Sequence, residues 1–109
     1  MNLSNIAFNN GYRIDLELKT SFWERMKGLL GVDYLNKNRG IVLENCKQVH
    51  TFGMKFPIDI LVLDKNLDII DFVYRMKPNR IGKFYWRGKY MIELASNKEN
   101  KEVFNNLIN

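Results

Sequence analysis

Ile58-Asp59-Ile60-Leu61-Val62-Leu63 is a run of strand length in which one carboxylate interrupts five aliphatic residues. Bounded by Pro57 before it and by the turn residues Asp64-Lys65-Asn66 after it, such a run reads as a buried strand. The stretch from Leu67 to Tyr74 then returns as its partner. A buried hairpin needs a core around it, and a chain that is 46% hydrophobic and 13% aromatic can supply one. With 109 residues the chain forms a single domain, 1–109. A domain of that size buries about two-thirds of the surface its unfolded chain exposes.

The remaining segments are read around this hairpin. Two strand-like runs flank Asn9-Asn10-Gly11, a turn cluster that favours positive φ. In the second run Tyr12, Ile14, Leu16 and Leu18 alternate with Arg13, Asp15, Glu17 and Lys19, the pattern of a half-buried strand. Thr20-Ser21 offers N-cap hydroxyls, with Glu24 at capping-box spacing, so a short helix is expected from about Phe22 to Leu30 and a stop at Gly31. Asn36 to Arg39 reads as a loop, Gly40 to Glu44 as a short strand and Val49 to Phe52 as extended chain. Tyr90 to Ala95 is the last strand. Ser96 or Asn97 caps a terminal helix whose apolar face is Val103, Phe104, Leu107 and Ile108. The expected class is α+β: a mainly antiparallel sheet, curled or barrel-like, with one short inserted helix and a C-terminal helix.

The composition excludes several functions. No apolar run approaches the roughly 20 residues needed to span a bilayer. The N-terminal residues show neither a basic leader nor an apolar core, so a cytoplasmic location is expected. The single cysteine, Cys46, rules out an internal disulfide and a cysteine-built zinc site. No phosphate-binding glycine loop, HExxH, CxxC or GxSxG pattern occurs, and neither a metal nor a cofactor is expected.

The net charge of +5 has a location. Arg75, Lys77, Arg80, Lys83, Arg87 and Lys89 lie in a stretch without a single acid, and outside it the chain carries 11 basic and 12 acidic residues. Phe84-Tyr85-Trp86 sit among these cations. Interleaved cations and rings suit an acidic protein partner, an anionic surface or nucleic acid, whose phosphates attract the cations and whose bases stack on the rings. The competing reading is a solvated loop or hairpin with its aromatics packed back on the sheet.

His50, the only histidine, and Asp59 are the candidate catalytic groups. A lone histidine in an apolar stretch serves more often as a hydrogen-bonded structural residue than as a base. In extended chain Cys46 and His50 are about 13 Å apart, which argues against a direct dyad. A carboxylate at the start of a buried strand must be hydrogen-bonded or paired. Asp59 is expected either to tie down the irregular backbone around Gly53 to Phe56, accepting from Thr51 or His50, or to orient His50 at a pocket mouth. Phe52, Met54 and Phe56 flank Gly53 and are suited either to the core or to a small apolar cleft.

These segments together resemble a known family. Arg25-Met26-Lys27-Gly28-Leu29-Leu30-Gly31, Gly40-Ile41-Val42-Leu43, the stretch His50 to Asp59 (HTFGMKFPID), Leu63-Asp64, Pro78 and Glu93-Leu94-Ala95 occur in the order seen in the domain-of-unknown-function 192 family. The resemblance implies a compact, mostly β domain with a short helix near RMKGLLG. It implies no reaction, because the family has no generally accepted activity. Many relatives carry a leader, which is not expected here, and some are encoded near surface-appendage and secretion genes, which by analogy implies an accessory role. Relatives often place glycine after Glu-Leu-x-x where this chain has Asn97, a residue that also tolerates the left-handed conformation.

The function expected from all this is a non-catalytic binding or accessory module. Its candidate binding residues are Phe52, Met54, Phe56, Arg80, Lys83, Tyr85, Trp86, Arg87 and Lys89. The alternatives are a small hydrolase-like or small-molecule-processing enzyme using His50 and Asp59, and nucleic-acid binding through the basic segment.

Overall fold

The computed structural model describes residues 5–8, 11–19 and 39–108. The helix expected over Phe22 to Leu30, its stop at Gly31 and nearly all of the loop expected from Asn36 lie outside them. Among the described residues there are six strands and one helix: β1 (Asn5–Ala7), β2 (Arg13–Lys19), β3 (Arg39–Glu44), β4 (Ile58–Leu63), β5 (Ile69–Met76), β6 (Tyr90–Ala95) and α1 (Lys98–Ile108). They build one sheet in the order β1-β2-β3-β6-β4-β5.

The expectation of a mainly antiparallel, curled or barrel-like sheet is met in part. The sheet is mixed: β2 and β3 run parallel, with Leu16 opposite Gly40 and Leu18 opposite Val42, while the other neighbours are antiparallel. A parallel pair needs a crossover of a dozen or more residues, and the chain between Lys19 and Arg39 is long enough for one. The sheet is also open among the described residues, because β1 and β5 end the strand order without pairing with each other. It is not a barrel.

β4 and β6 occupy the middle, and every residue of β4 is buried. One sheet face carries Val42, Leu61, Leu63, Phe72, Tyr90, Ile92 and Leu94 against Phe104 of α1. Phe8 and Tyr12 meet the Phe104 ring edge-on at 5.0 and 5.8 Å, an arrangement favoured by the ring quadrupoles. The other face carries Ile41, Leu43, Ile58, Ile60, Val62 and Met91. It is covered by Cys46, Val49, Met54 and Tyr85 from the connecting segments. The uninterrupted apolar run of β4 follows from this, since alternate side chains fill both cores.

β5 starts two residues later than expected. Leu67 adopts φ 67° and donates its amide to the Asp64 carbonyl, while the Asp64 side chain accepts from Asn66 and Asp68. The turn therefore extends through Asp68. Near its far end β5 bulges, because Ile58 pairs with Met76 but Ile60 pairs with Val73. Arg75 lies in that bulge at φ 52°.

α1 begins as the cap residues suggest. The Asn97 side chain accepts from the Asn100 amide at 2.8 Å, so Asn97 is the N-cap. Asn97 does not take the left-handed conformation that it tolerates; the described non-glycine residues with positive φ are Asn45, Leu67, Arg75 and Asn79.

Candidate functional site

Residues 77–89 form neither helix nor regular strand, yet they are fixed along their length. The segment from Asn45 to Thr51 runs beside them and exchanges main-chain bonds. Thr51 N donates to Arg80 O, Gly82 N to Val49 O, Tyr85 N to Lys47 O and Asn45 N to Lys89 O, at 2.7–2.8 Å. Within this pairing His50 and Ile81 form a short antiparallel bridge. Val49 to Phe52 was expected as an extended stretch, and that bridge is its regular part.

Side chains complete the seam. Thr51, fully buried, donates its hydroxyl to Lys77 O at 2.6 Å and accepts from Arg80 N at 2.9 Å. Its carbonyl accepts from Asn79 N and Met54 N. The Lys47 ammonium bonds Trp86 O and Gly88 O, and Gln48 bonds Gly82 O. A Cβ on Gly82 would lie 3.0 Å from the Val49 carbonyl oxygen, so a side chain there would make the seam give by a few tenths of an ångström. The HTFGM stretch is thus the scaffold on which the cationic segment is mounted.

The segment divides its side chains between the interior and the surface. Tyr85 is buried, and its hydroxyl donates to Asp71 of β5. Burial first, then the bond to Asp71 and its charge, push the Tyr85 pKa above the ordinary tyrosine value, so the hydroxyl stays a neutral donor. Ile81 is 67% exposed and Trp86 81%, and Phe84 meets Trp86 edge-on at 5.1 Å.

Two grooves flank the segment. One, of about 470 Å³, lies between β5 and residues 80–85. Val49, Ile60, Val73, Met76 and Met91 give it an apolar lining, and Arg75, Lys77, Arg80 and Lys83 bring positive charge to it. The second, of about 550 Å³, lies between the β4–β5 turn and residues 86–89, with Trp86, Arg87 and Lys89 along it. The candidate binding residues therefore separate: Arg80, Lys83 and Tyr85 belong to the first groove, and Trp86, Arg87 and Lys89 to the second.

Phe52, Met54 and Phe56 line neither groove. Met54 is buried in the core, Phe56 is half-buried against it, and Phe52 is exposed with its ring 5.2 Å from that of His50.

The two candidate catalytic groups have separate surroundings. Asp59 is fully buried and accepts from Arg75 N at 2.8 Å, Asn97 N at 3.2 Å and the Asn100 side-chain amide at 3.0 Å. Neither Thr51 nor His50, the donors expected from sequence, is among these partners. Nδ1 of His50 accepts from Phe52 N at 3.3 Å. Among the described residues no group of three or more His, Cys, Asp or Glu side chains is placed to hold a metal ion. Nor is any helix there long and apolar enough to cross a membrane.

One buried acid was not among the sequence candidates. Glu93 lies in the central strand β6, opposite Ile41 and Ile60, and is 4% exposed. Its Oε1 has no hydrogen-bond partner among the described residues. Burial pushes its pKa from 4.5 up to about 7. The available signal is the same as for Asp59, a carboxylate within an otherwise apolar strand, YMIELA.

Comparison with known proteins agrees with this architecture. A protein of unknown function from Novosphingobium aromaticivorans superposes with a TM-score of 0.77 at 13% identity, over 89% of this chain and 74% of the other. A Sinorhizobium meliloti protein bearing the name "putative transcription regulator" superposes with a TM-score of 0.74 at 16% identity, over 91% and 83%. At these identities the likeness is one of fold. No curated protein matches the sequence. The profile of the DUF192 family, described as "Uncharacterized ACR", matches residues 5–102, and the chain belongs to that family.

Proposed function

We propose that the chain is a non-catalytic binding module whose contact surface is the basic and aromatic segment from Arg75 to Lys89, and whose partner is an acidic protein surface. One observation carries the reading: the chain holds Ile81, Phe84 and Trp86 in water between Arg80, Lys83 and Arg87 on a rigidly seamed segment. Large rings left exposed beside cations are typical of contact surfaces, where aromatic and arginine side chains supply most of the binding energy. The seam to residues 45–51 means that little ordering would be needed on binding, which favours affinity.

The test compares the native chain with a Lys83→Glu/Arg87→Glu/Lys89→Glu variant, using poly-glutamate as the acidic probe at physiological salt. Binding by the native chain that the charge-reversed variant loses is the expected result. Equal binding by both would remove this surface from consideration. A steep salt dependence with single-stranded oligonucleotide, and none of the poly-glutamate binding, would instead favour nucleic acid as the partner.

A further inference from the structure

The 470 Å³ groove between β5 and residues 80–85 has a polarity along its length. Asp71 lies near the start of β5, while Arg75 and Lys77 follow at its end. With one residue taken up by the bulge, the stretch from Asp71 to Arg75 spans roughly 10 Å at about 3.3 Å per residue. Both Asp71 oxygens are engaged, Oδ1 by Phe72 N at 2.8 Å and Oδ2 by the Tyr85 hydroxyl. Lys83 stays near that end, its ammonium 5.7 Å from the centre of the Tyr85 ring. The other end is cationic without compensation: Arg75, Lys77 and Arg80 form no ion pair among the described residues, and Arg80 Nη1 bonds only the carbonyls of Pro78 and Asn79. Between the ends lie Ile60, Val73, Met76 and Met91, all apolar.

We propose that this groove is a binding site for a small amphipathic acid, an apolar chain ending in a single carboxylate or phosphate. The chain would lie on Val73, Met76 and Met91, and the anionic head would sit among Arg75, Lys77 and Arg80. An apolar pocket of this volume with a few convergent charges has the usual make-up of a small-molecule site. Its charge complements an anion and would repel a cation of the same shape. The inference rests on reading the chain as a binding module and assigns the occupant of a groove beside its outer surface.

Decanoate is a suitable probe, followed through the methyl resonances of Met76 and Met91 in the full chain labelled at its methionine methyl groups. Saturable shifts of both are expected below the concentration at which decanoate forms micelles, with no comparable response to decylammonium. Val73→Trp fills the groove and should abolish the shifts. Lys77→Glu/Arg80→Glu, at two exposed positions, should weaken binding about tenfold or more. That second variant carries the test if the first fails to fold.

Equal response to decylammonium, shifts that survive both variants, or binding only to vesicles containing anionic phospholipid would each overturn the site. The poly-glutamate experiment is read separately. If the native chain binds poly-glutamate but not decanoate, the groove assignment fails and the outer surface stands. If it binds decanoate but not poly-glutamate, the outer surface fails and the groove stands.

Discussion

Asp59 and Asn100 are 41 residues apart in sequence, yet the buried carboxylate of one accepts the side-chain amide of the other at 3.0 Å. Asn100 also accepts from the Tyr12 hydroxyl at 2.9 Å and donates to Ala95 O at 3.0 Å. The Asp59–Asn100 pair therefore joins β4, the β5 bulge, the N-terminus of α1 and the chain entering β2. A negative charge at a helix N-terminus is favourable, and here it is anchored by three donors. This geometry explains a buried aspartate without recourse to catalysis.

Replacing Asp59 by alanine should accordingly cost about 3–5 kcal/mol, because Arg75 N, Asn97 N and Asn100 lose their acceptor together. Asn100→Ala should cost less. A double-mutant cycle should return a coupling of about 1–3 kcal/mol. His50→Ala removes a single long bond and should cost under about 1 kcal/mol. Urea unfolding of the four variants checks these values, and a large His50 effect together with a small Asp59 effect would refute the account.

Thr51→Val keeps the shape of a buried side chain but removes the hydroxyl that bonds Lys77 O and Arg80 N. The expected loss is about 2–3 kcal/mol, concentrated in the cationic segment. Amide hydrogen exchange should accelerate at Arg80, Gly82 and Tyr85, whose bonds belong to the seam, and much less within β4. Uniform acceleration through the sheet would instead mean that Thr51 acts on global stability alone.

Where the sequence could be read and where it could not follows from the range of the forces involved. Ile58–Leu63 and Tyr90–Ala95 are strands because their own residues, apart from Asp59 and Glu93, are apolar, and β3 differs from its expected span by one residue at its start. The order β3-β6-β4 and the parallel β2–β3 pair depend on side chains meeting across long stretches of chain, which no local pattern records. The start of β5 was misplaced because Leu67 adopts a left-handed conformation that leucine rarely takes. Burial of Asp59 was legible from its aliphatic neighbours, but its partners were not, since Asn97 and Asn100 reach it from another element. The cationic segment was visible as charge, whereas its division into two grooves depends on Tyr85 turning inward to Asp71 while Trp86 turns outward.

Gly82 is expected to be sensitive to any side chain. Its φ is not positive, so an added methyl is opposed by contact alone, at 3.0 Å from Val49 O and 3.4 Å from Val49 Cγ2. The carbonyl cannot retreat without weakening the Gly82 N to Val49 O bond of 2.8 Å. Gly82→Ala should therefore cost about 1–3 kcal/mol and expose the seam to exchange. A midpoint of thermal unfolding unchanged from the native chain would show that the seam yields freely there.

Glu93 should give the domain a distinct pH signature. The unfolded chain releases the Glu93 proton near pH 4.5, whereas the folded protein holds it to about 7. Below pH 4.5 both states carry the proton, so ionisation costs the fold nothing. As the pH rises, the unfolded state ionises first and binds fewer protons than the folded one, so stability falls with pH across this window. Above pH 7 both states are ionised and the penalty levels off at about 3 kcal/mol. Glu93→Gln removes the titration while leaving a buried polar group whose cost does not vary with pH. The informative quantity is therefore the change in the stability difference between variant and native chain. From pH 5 to pH 8 that difference should move by about 2–3 kcal/mol in favour of the variant, measured by urea unfolding at each pH. A constant difference would mean that Glu93 ionises in the folded protein as easily as in the unfolded chain.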